Sequence, residues 1–215
     1  MNADVILLIL IGCNVLISLK GFSDGNFFRQ NEFHIGSIRA GQQFRMISSG
    51  FLHVDIAHLA FNMIALYSFA PVITQLLGNL SFLIIYFGSL IFGNVLTLIL
   101  HKNDYNYRAV GASGAVTGII YAAILVYPDL AVNIMFIPIP IPGLVFGLLY
   151  LLYSIYGMKA KNDSIGHTAH FGGAIGGFLF TLIKVPSLFA SEPFTVGLLA
   201  LPIVIMFIMA KMNKF

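Results

Sequence analysis

The sequence predicts an all-α polytopic membrane protein, six spanning helices in a bundle with an extra helix at the C-terminus, and three observations lead there. Hydrophobic residues make up 59% of the chain and charged residues 9%, against roughly 45–50% and about 25% in soluble domains. Mean hydropathy is +0.93. Apolar runs of the ~20 residues needed to cross ~30 Å of hydrocarbon recur from one end to the other, and the connections between them leave little room for a separate water-soluble domain.

The first run covers about residues 4–19 and contains Cys13, the single cysteine, so no intramolecular disulfide can form. Leu10-Ile11-Gly12-Cys13 looks superficially like a lipoprotein cleavage box. No Lys or Arg precedes it, however, and the apolar run continues past Cys13, unlike a signal peptide; the thiol reads as lipid-facing or packed. The longest connection follows, from Lys20 to Asp55.

The second run, 56–77, carries His58 and Asn62. A spacing of four puts them about 40° apart around a helix and about 6 Å along its axis. They share a face, and both can present N–H donors of the kind an oxyanion requires. Interhelical hydrogen bonding would also account for such a pair. The third run, 80–101, leads to the fourth, 111–127, which opens with Gly111-Ala112-Ser113-Gly114.

Ser113 sits where a helix begins, so free backbone N–H groups and the positive end of the helix dipole are at hand to stabilise negative charge. It can be a nucleophile and part of its own oxyanion hole. Gly-x-Ser-Gly is weak alone, because membrane helices use small residues for packing. Gly114 and Gly118 give this helix a smooth face, and Gly173 and Gly177 do the same below His170 in the sixth run, 167–186. Two such faces bring backbones close and Ser113 within reach of His170. His170 is then the general base. No Asp or Glu stands inside these spans, and Asp55 and Asp163 belong in or beside loops. A dyad is expected, its ring oriented by packing and backbone contacts.

Ile137 to Pro142 alternates isoleucine with proline and cannot be regular helix, so it belongs to the connection before the fifth run, 142–158. A seventh run, about 194–210, follows Pro193.

Taken in order, Gly41-Gln42-Gln43-Phe44-Arg45, Phe51-Leu52-His53 leading into His58-x-x-x-Asn62, Gly111-x-Ser113-Gly114 and Ala169-His170-x-x-Gly173-x-x-x-Gly177 resemble the motifs of the rhomboid intramembrane serine proteases. The resemblance implies a six-helix catalytic core over residues 1–186, with 20–55 as a first loop lying partly in the membrane, and an additional C-terminal helix and short tail over 187–215. It implies Ser113 as nucleophile, His170 as base, and an oxyanion hole of His58, Asn62 and the Ser113 N–H. Arg45, Gly111, Gly114, Gly118, Gly173 and Gly177 take structural and packing roles.

Two positions depart from the family pattern. Phe44-Arg45 stands where the family often has Trp-Arg. Thr117 stands where an aromatic ring commonly stacks on the catalytic histidine.

The implied activity is cleavage of transmembrane helices of other membrane proteins in a water-accessible cavity, with no cofactor and no metal. The loop from Lys159 to Gly166 would cap that cavity, with Gly157 and Gly166 as hinges. The expected partners are substrate transmembrane segments and membrane lipid; a net charge of +3 with scattered basic residues argues against nucleic acid. The expected location is a cell (plasma) membrane. The family orientation, N-terminus cytoplasmic, puts most basic residues outside, against the positive-inside rule.

Two other classes compete. A catalytically inactive rhomboid-like protein would bind helices without cutting them, although such proteins usually lose the serine or histidine and this chain keeps both. A metal transporter could use His53, His58, His101, His167 and His170. It would leave Ser113 without a role, and no intramembrane carboxylate or inverted repeat supports it. His53, His101 and His167 read as interfacial or loop residues.

Overall fold

Each apolar run becomes one helix in the computed structural model, which describes residues 3–133, 139–160 and 165–212. In chain order the elements begin with α1 (Ala3–Ser23), α2 (Gly25–Asn31), β1 (Phe33–His34), α3 (Ile35–Arg39), α4 (Arg45–Ser48) and a 3-10 turn (Ser49–Phe51). The middle of the chain forms α5 (Ile56–Leu77), α6 (Asn79–Leu100), β2 (Arg108–Ala109), α7 (Ser113–Val126), β3 (Ala131–Val132) and β4 (Ile141–Pro142). The last part forms α8 (Gly143–Ala160), α9 (His167–Lys184), α10 (Leu188–Ser191) and α11 (Pro193–Lys211). Ile137 and Pro138 of the proline-rich stretch, and Lys161 and Asp163 of the expected capping loop, lie outside the described residues.

Local chemistry sets the boundaries. Asp55 caps α5 by accepting the His58 N–H at 2.7 Å, and Asp24 caps α2 through the N–H groups of Asn26 and Phe27. Gly78, at φ +83°, turns α5 directly into α6.

α1, α5, α6, α8 and α11 are long and apolar enough to cross a membrane. α7 and α9 differ because protein, not lipid, surrounds them. Gly114 through Leu125 of α7 are all buried, and α9 packs most extensively on α6 and α7. With 14 residues, α7 rises only about 21 Å, less than the ~30 Å of hydrocarbon.

The glycines of α9 come in adjacent pairs, and adjacent helix positions point about 100° apart. One member of each pair therefore faces α7 and the other α6. A Cβ on Gly173 or Gly177 would strike the carbonyl of Gly114 or Gly118 on α7. On the other side, Cβ atoms on Gly172 and Gly176 would lie 2.7 Å from Phe92 O and 2.8 Å from Ser89 Cα on α6. Gly93 of α6 answers in kind, with Ala169 O only 2.6 Å from its would-be Cβ. Backbone contact without side chains between is how membrane helices bind tightly in the absence of a hydrophobic driving force.

The first loop is not a simple connection. β1 pairs antiparallel with β2, setting Phe33 opposite Ala109 and His34 opposite Arg108. The loop is thereby stitched to the segment that leads into Ser113. At the far side of the bundle α11 packs on α8, where Leu199 closes on Gly147.

Candidate active site

Ser113 is the first residue of α7. The first intrahelical bond of this turn is made by the Val116 N–H to Ala112 O at 2.9 Å, so the Ser113 and Gly114 N–H groups lie ahead of the helical ladder. The approach to Ser113 is fixed from both sides. Gly111 adopts φ +131°, a conformation side chains avoid, and donates its N–H to Ser49 O at 3.0 Å. The Ala112 N–H donates to Nε2 of His53 at 3.4 Å.

His53 lies in the connection before α5, as expected of a loop residue, but is fully buried there, at 0% exposure. Because Nε2 accepts from Ala112, Nδ1 carries the proton and donates to Ser18 Oγ at 2.8 Å, and Ser18 in turn donates to Phe51 O at 2.9 Å. Every group in this chain is satisfied with a neutral imidazole. Burial pushes the His53 pKa down to about 3, reinforced by His58 and opposed by Asp55. His167, at 4% exposure, is also buried, with its ring filling the space that a side chain on Gly157 would take. His101 contacts Thr168 at 3.2 Å and stacks on Tyr107.

His58 and Asn62 occupy one face of α5, as their spacing predicts. The His58 ring packs beside Gly111, where a Cβ would sit 2.8 Å from His58 Cε1 and 3.5 Å from Ser113 Oγ. Nδ1 of His58 is buried with no hydrogen-bond partner among the described residues. The Asn62 amide donates to His58 O at 2.9 Å.

His170, 9% exposed, projects from the first turns of α9. Its Nδ1 lies 2.9 Å from the Tyr150 hydroxyl of α8, and the two rings stack at 5.9 Å with planes 23° apart. Thr117 contacts the same hydroxyl at 3.3 Å and donates to Ser113 O at 2.8 Å. Packing orients the imidazole through this stack, and the backbone contacts expected beside it are corrected to a side-chain hydroxyl from another helix at Nδ1. Sequence reasoning missed Tyr150 because the nearest sequence signal, an aromatic four residues after the serine, is absent, and nothing in the α8 composition marks one tyrosine among several.

Ser113, His58, Asn62, Gly111 and His170 line one cavity of about 750 Å³, with Glu32 and Arg108 also on its wall. Glu32 is 5% exposed and ion-paired with Arg108. Arg45 lies outside this cavity. It is 7% exposed and donates to Arg29 O, Glu32 O and Gln42 Oε1 at 2.8, 2.9 and 2.7 Å, gathering the first loop around one cation. A second cavity of about 750 Å³, lined by Phe61, Ala65, Val116, Ile120, Phe146 and Tyr150 among others, shares Ser113 and Asn62 with the first. The two meet at the serine, one with a charged wall and one mostly apolar. Among the described residues, no group of three or more His, Cys, Asp or Glu side chains is placed to hold a metal ion.

Comparison with known proteins finds a match of residues 40–187 to the Rhomboid domain family model. The chain is 33% identical over 147 residues to the rhomboid protein YdcA of Bacillus subtilis (strain 168), covering 67% of this chain and 69% of that one. It is 29% identical over 191 residues to RHOMBOID-like protein 12, mitochondrial, of Arabidopsis thaliana, covering 80% of this chain and 56% of the relative. With rhomboid protease GluP of Bacillus subtilis the identity is 32% over 141 residues, 66% of this chain and 26% of the longer relative.

Proposed function

The chain belongs to the rhomboid family, and from that membership together with the cavity around Ser113 we propose that it is an intramembrane serine endopeptidase cutting transmembrane helices of other membrane proteins. One observation carries the reading: Ser113, His170, His58 and Asn62, drawn from three helices, converge on one cavity. Ser113 Oγ attacks a substrate carbonyl carbon while His170 Nε2 takes its proton. The tetrahedral oxyanion is met by His58, Asn62 and the Ser113 N–H at the positive end of α7. Collapse breaks the C–N bond, and His170 returns the proton to the leaving amine. Water then repeats the sequence on the acyl-enzyme, restoring Ser113 and releasing the new carboxylate.

The meeting of the two cavities suits that chemistry. A substrate helix can lie along the apolar groove between α5 and α8, while water arrives through the cavity walled by Glu32 and Arg108. Helical carbonyls are already hydrogen-bonded, so the scissile stretch has to unwind, which favours substrates with Gly or Pro near the cut. The rise of α7, about 21 Å against ~30 Å of hydrocarbon, suits a Ser113 held below the membrane surface.

The competing reading is a non-catalytic rhomboid protein that binds helices. Its support is the Asn62 amide, which is engaged by its own helix. The expected location is the cell membrane, with an organelle membrane as the alternative given the mitochondrial names of several relatives. The test of function is cleavage of a model transmembrane substrate in proteoliposomes. Wild-type protein cuts it and Ser113→Ala and His170→Ala do not; turnover by either variant rejects the dyad, and binding without cutting by wild-type protein selects the helix-binding reading.

A further inference from the structure

The polar atoms between His170 and Ser113 form a chain of contacts through Thr117 and Tyr150. Ser113 O is a carbonyl and can only accept, so Thr117 spends its single hydroxyl proton there, at 2.8 Å. Thr117 Oγ1 then faces the Tyr150 hydroxyl with its lone pairs, at a long 3.3 Å. The Tyr150 hydroxyl lies closer to His170 Nδ1, at 2.9 Å, where its role as donor or acceptor follows the tautomer. A base that takes the Ser113 proton on Nε2 needs its lone pair there and its own proton on Nδ1, and Tyr150 is the oxygen the structure sets against that proton.

We infer that Tyr150 and Thr117 are positioning residues that lock His170 in the Nδ1–H tautomer, taking the place of a third, acidic member of the catalytic group. The inference rests on the proposed serine protease chemistry. Its physical content is that the same hydrogen-bond direction serves both states of the base. When His170 takes the serine proton it becomes an imidazolium, both of whose nitrogens donate, and Nδ1–H goes on donating to Tyr150 without any hydroxyl having to turn. A neutral phenol also avoids placing a carboxylate at membrane depth, where an unpaired charge is costly. The ring stack of Tyr150 between His170 and Phe146, with centroids 5.9 and 5.8 Å away, fixes the imidazole plane independently of the hydroxyl. This also gives Thr117 a function: an aromatic ring there could not relay the proton order from the Ser113 carbonyl.

The two contributions separate in one substitution. Tyr150→Phe keeps the ring and removes the hydroxyl that faces Nδ1, which releases the hold on the tautomer. Turnover of a model substrate should fall about 10- to 100-fold, the range for loss of an outer partner that orients a functional histidine, with KM little changed. Thr117→Val should fall in the same direction by less, since it frees Tyr150 to turn its proton toward Nδ1, and Thr117→Ser should restore wild-type rate. The decisive readout is 15N NMR of histidine-labelled protein in detergent, with the His170 signals identified by difference from His170→Ala. Wild-type protein should show Nδ1–H, and Tyr150→Phe and Thr117→Val a mixture. An Nε2–H tautomer in wild-type protein, or an unchanged tautomer and rate in both variants, overturns the inference. A wild-type protein whose Ser113 does not react through His170 overturns the protease reading instead.

Discussion

At the scale of single residues, the site is held by groups that satisfy one another before any substrate arrives. His53 bridges α1 to the segment that aims Ser113, accepting from Ala112 and donating to Ser18. Its consequence for stability has a definite sign. The folded-state pKa, about 3, is below the ordinary 6.5, so as pH falls through that window the unfolded chain binds a proton that the folded chain refuses, and stability is lost. Thermal unfolding in detergent should therefore show a midpoint that drops between pH 6.5 and 3. His53→Gln, which can still accept from Ala112 and donate to Ser18, should flatten that drop; an unchanged acid dependence would show that His53 is not its source.

Asn62 offers a second residue-level prediction. The proposed role as one of several oxyanion donors would be worth about 3 kcal/mol, so Asn62→Ala should slow turnover roughly 100-fold or somewhat more without abolishing it. A variant as fast as wild type in a single-turnover assay would leave the Asn62 amide with no part in the oxyanion hole, as its bond to His58 O would then suggest.

Among elements, the contact of α9 with α6 and α7 sets everything else, because Ser113 and His170 ride on two of these helices. Gly173→Ala or Gly177→Ala drives a methyl group into a backbone carbonyl that cannot yield as a side chain would. The expected cost is about 1–3 kcal/mol of stability, with loss of activity beyond it as His170 moves off Ser113. Gly12 is the control, since a Cβ there meets nothing within 4 Å, and Gly12→Ala should be neutral or slightly stabilising in a thermal melt. Equal effects at Gly12 and Gly173 would remove the packing argument.

How much of this was legible in the sequence follows from range. Seven helices were readable because hydrophobicity is a local signal, and the smooth faces of Gly114 with Gly118 and of Gly173 with Gly177 were readable from a period of four, whereas their register against each other is a tertiary feature. The second glycine face of α9, toward α6, was overlooked although the doubled glycines at 172–173 and 176–177 carry it. The β1–β2 pairing, the Ser18–His53–Ala112 chain and Tyr150 were not readable, because each joins segments far apart in sequence through one or two atoms and leaves no periodic trace. Among the departures from the family pattern, Thr117 was the useful one. It marked the place where a support for His170 had to come from elsewhere, and α8 supplies it.

For the whole molecule, the loops 24–55 and 101–112 meet at one end through β1 and β2, above the start of α7. Four of the basic residues at that end are engaged by other groups. Arg45 is buried on backbone carbonyls, Arg108 is paired with Glu32, Arg39 donates to Lys102 O, and Lys20 pairs with Asp24. The family orientation and the positive-inside rule give opposite topologies for these residues, and cysteine labelling decides between them. With Cys13 replaced, Asn103→Cys should react with a membrane-impermeant maleimide added to intact cells and Asp129→Cys should not. The reverse pattern would place the cavity mouth in the cytoplasm.

The most direct measurement requires no known substrate. Purified protein is treated with a fluorophosphonate, and the modified residue is located by mass spectrometry in wild-type protein and in His170→Ala. An intramembrane serine protease of this design carries the label on Ser113, and loses it when His170 is gone. A folded wild-type protein that takes no label, or a Ser113 that reacts equally well without His170, would contradict it.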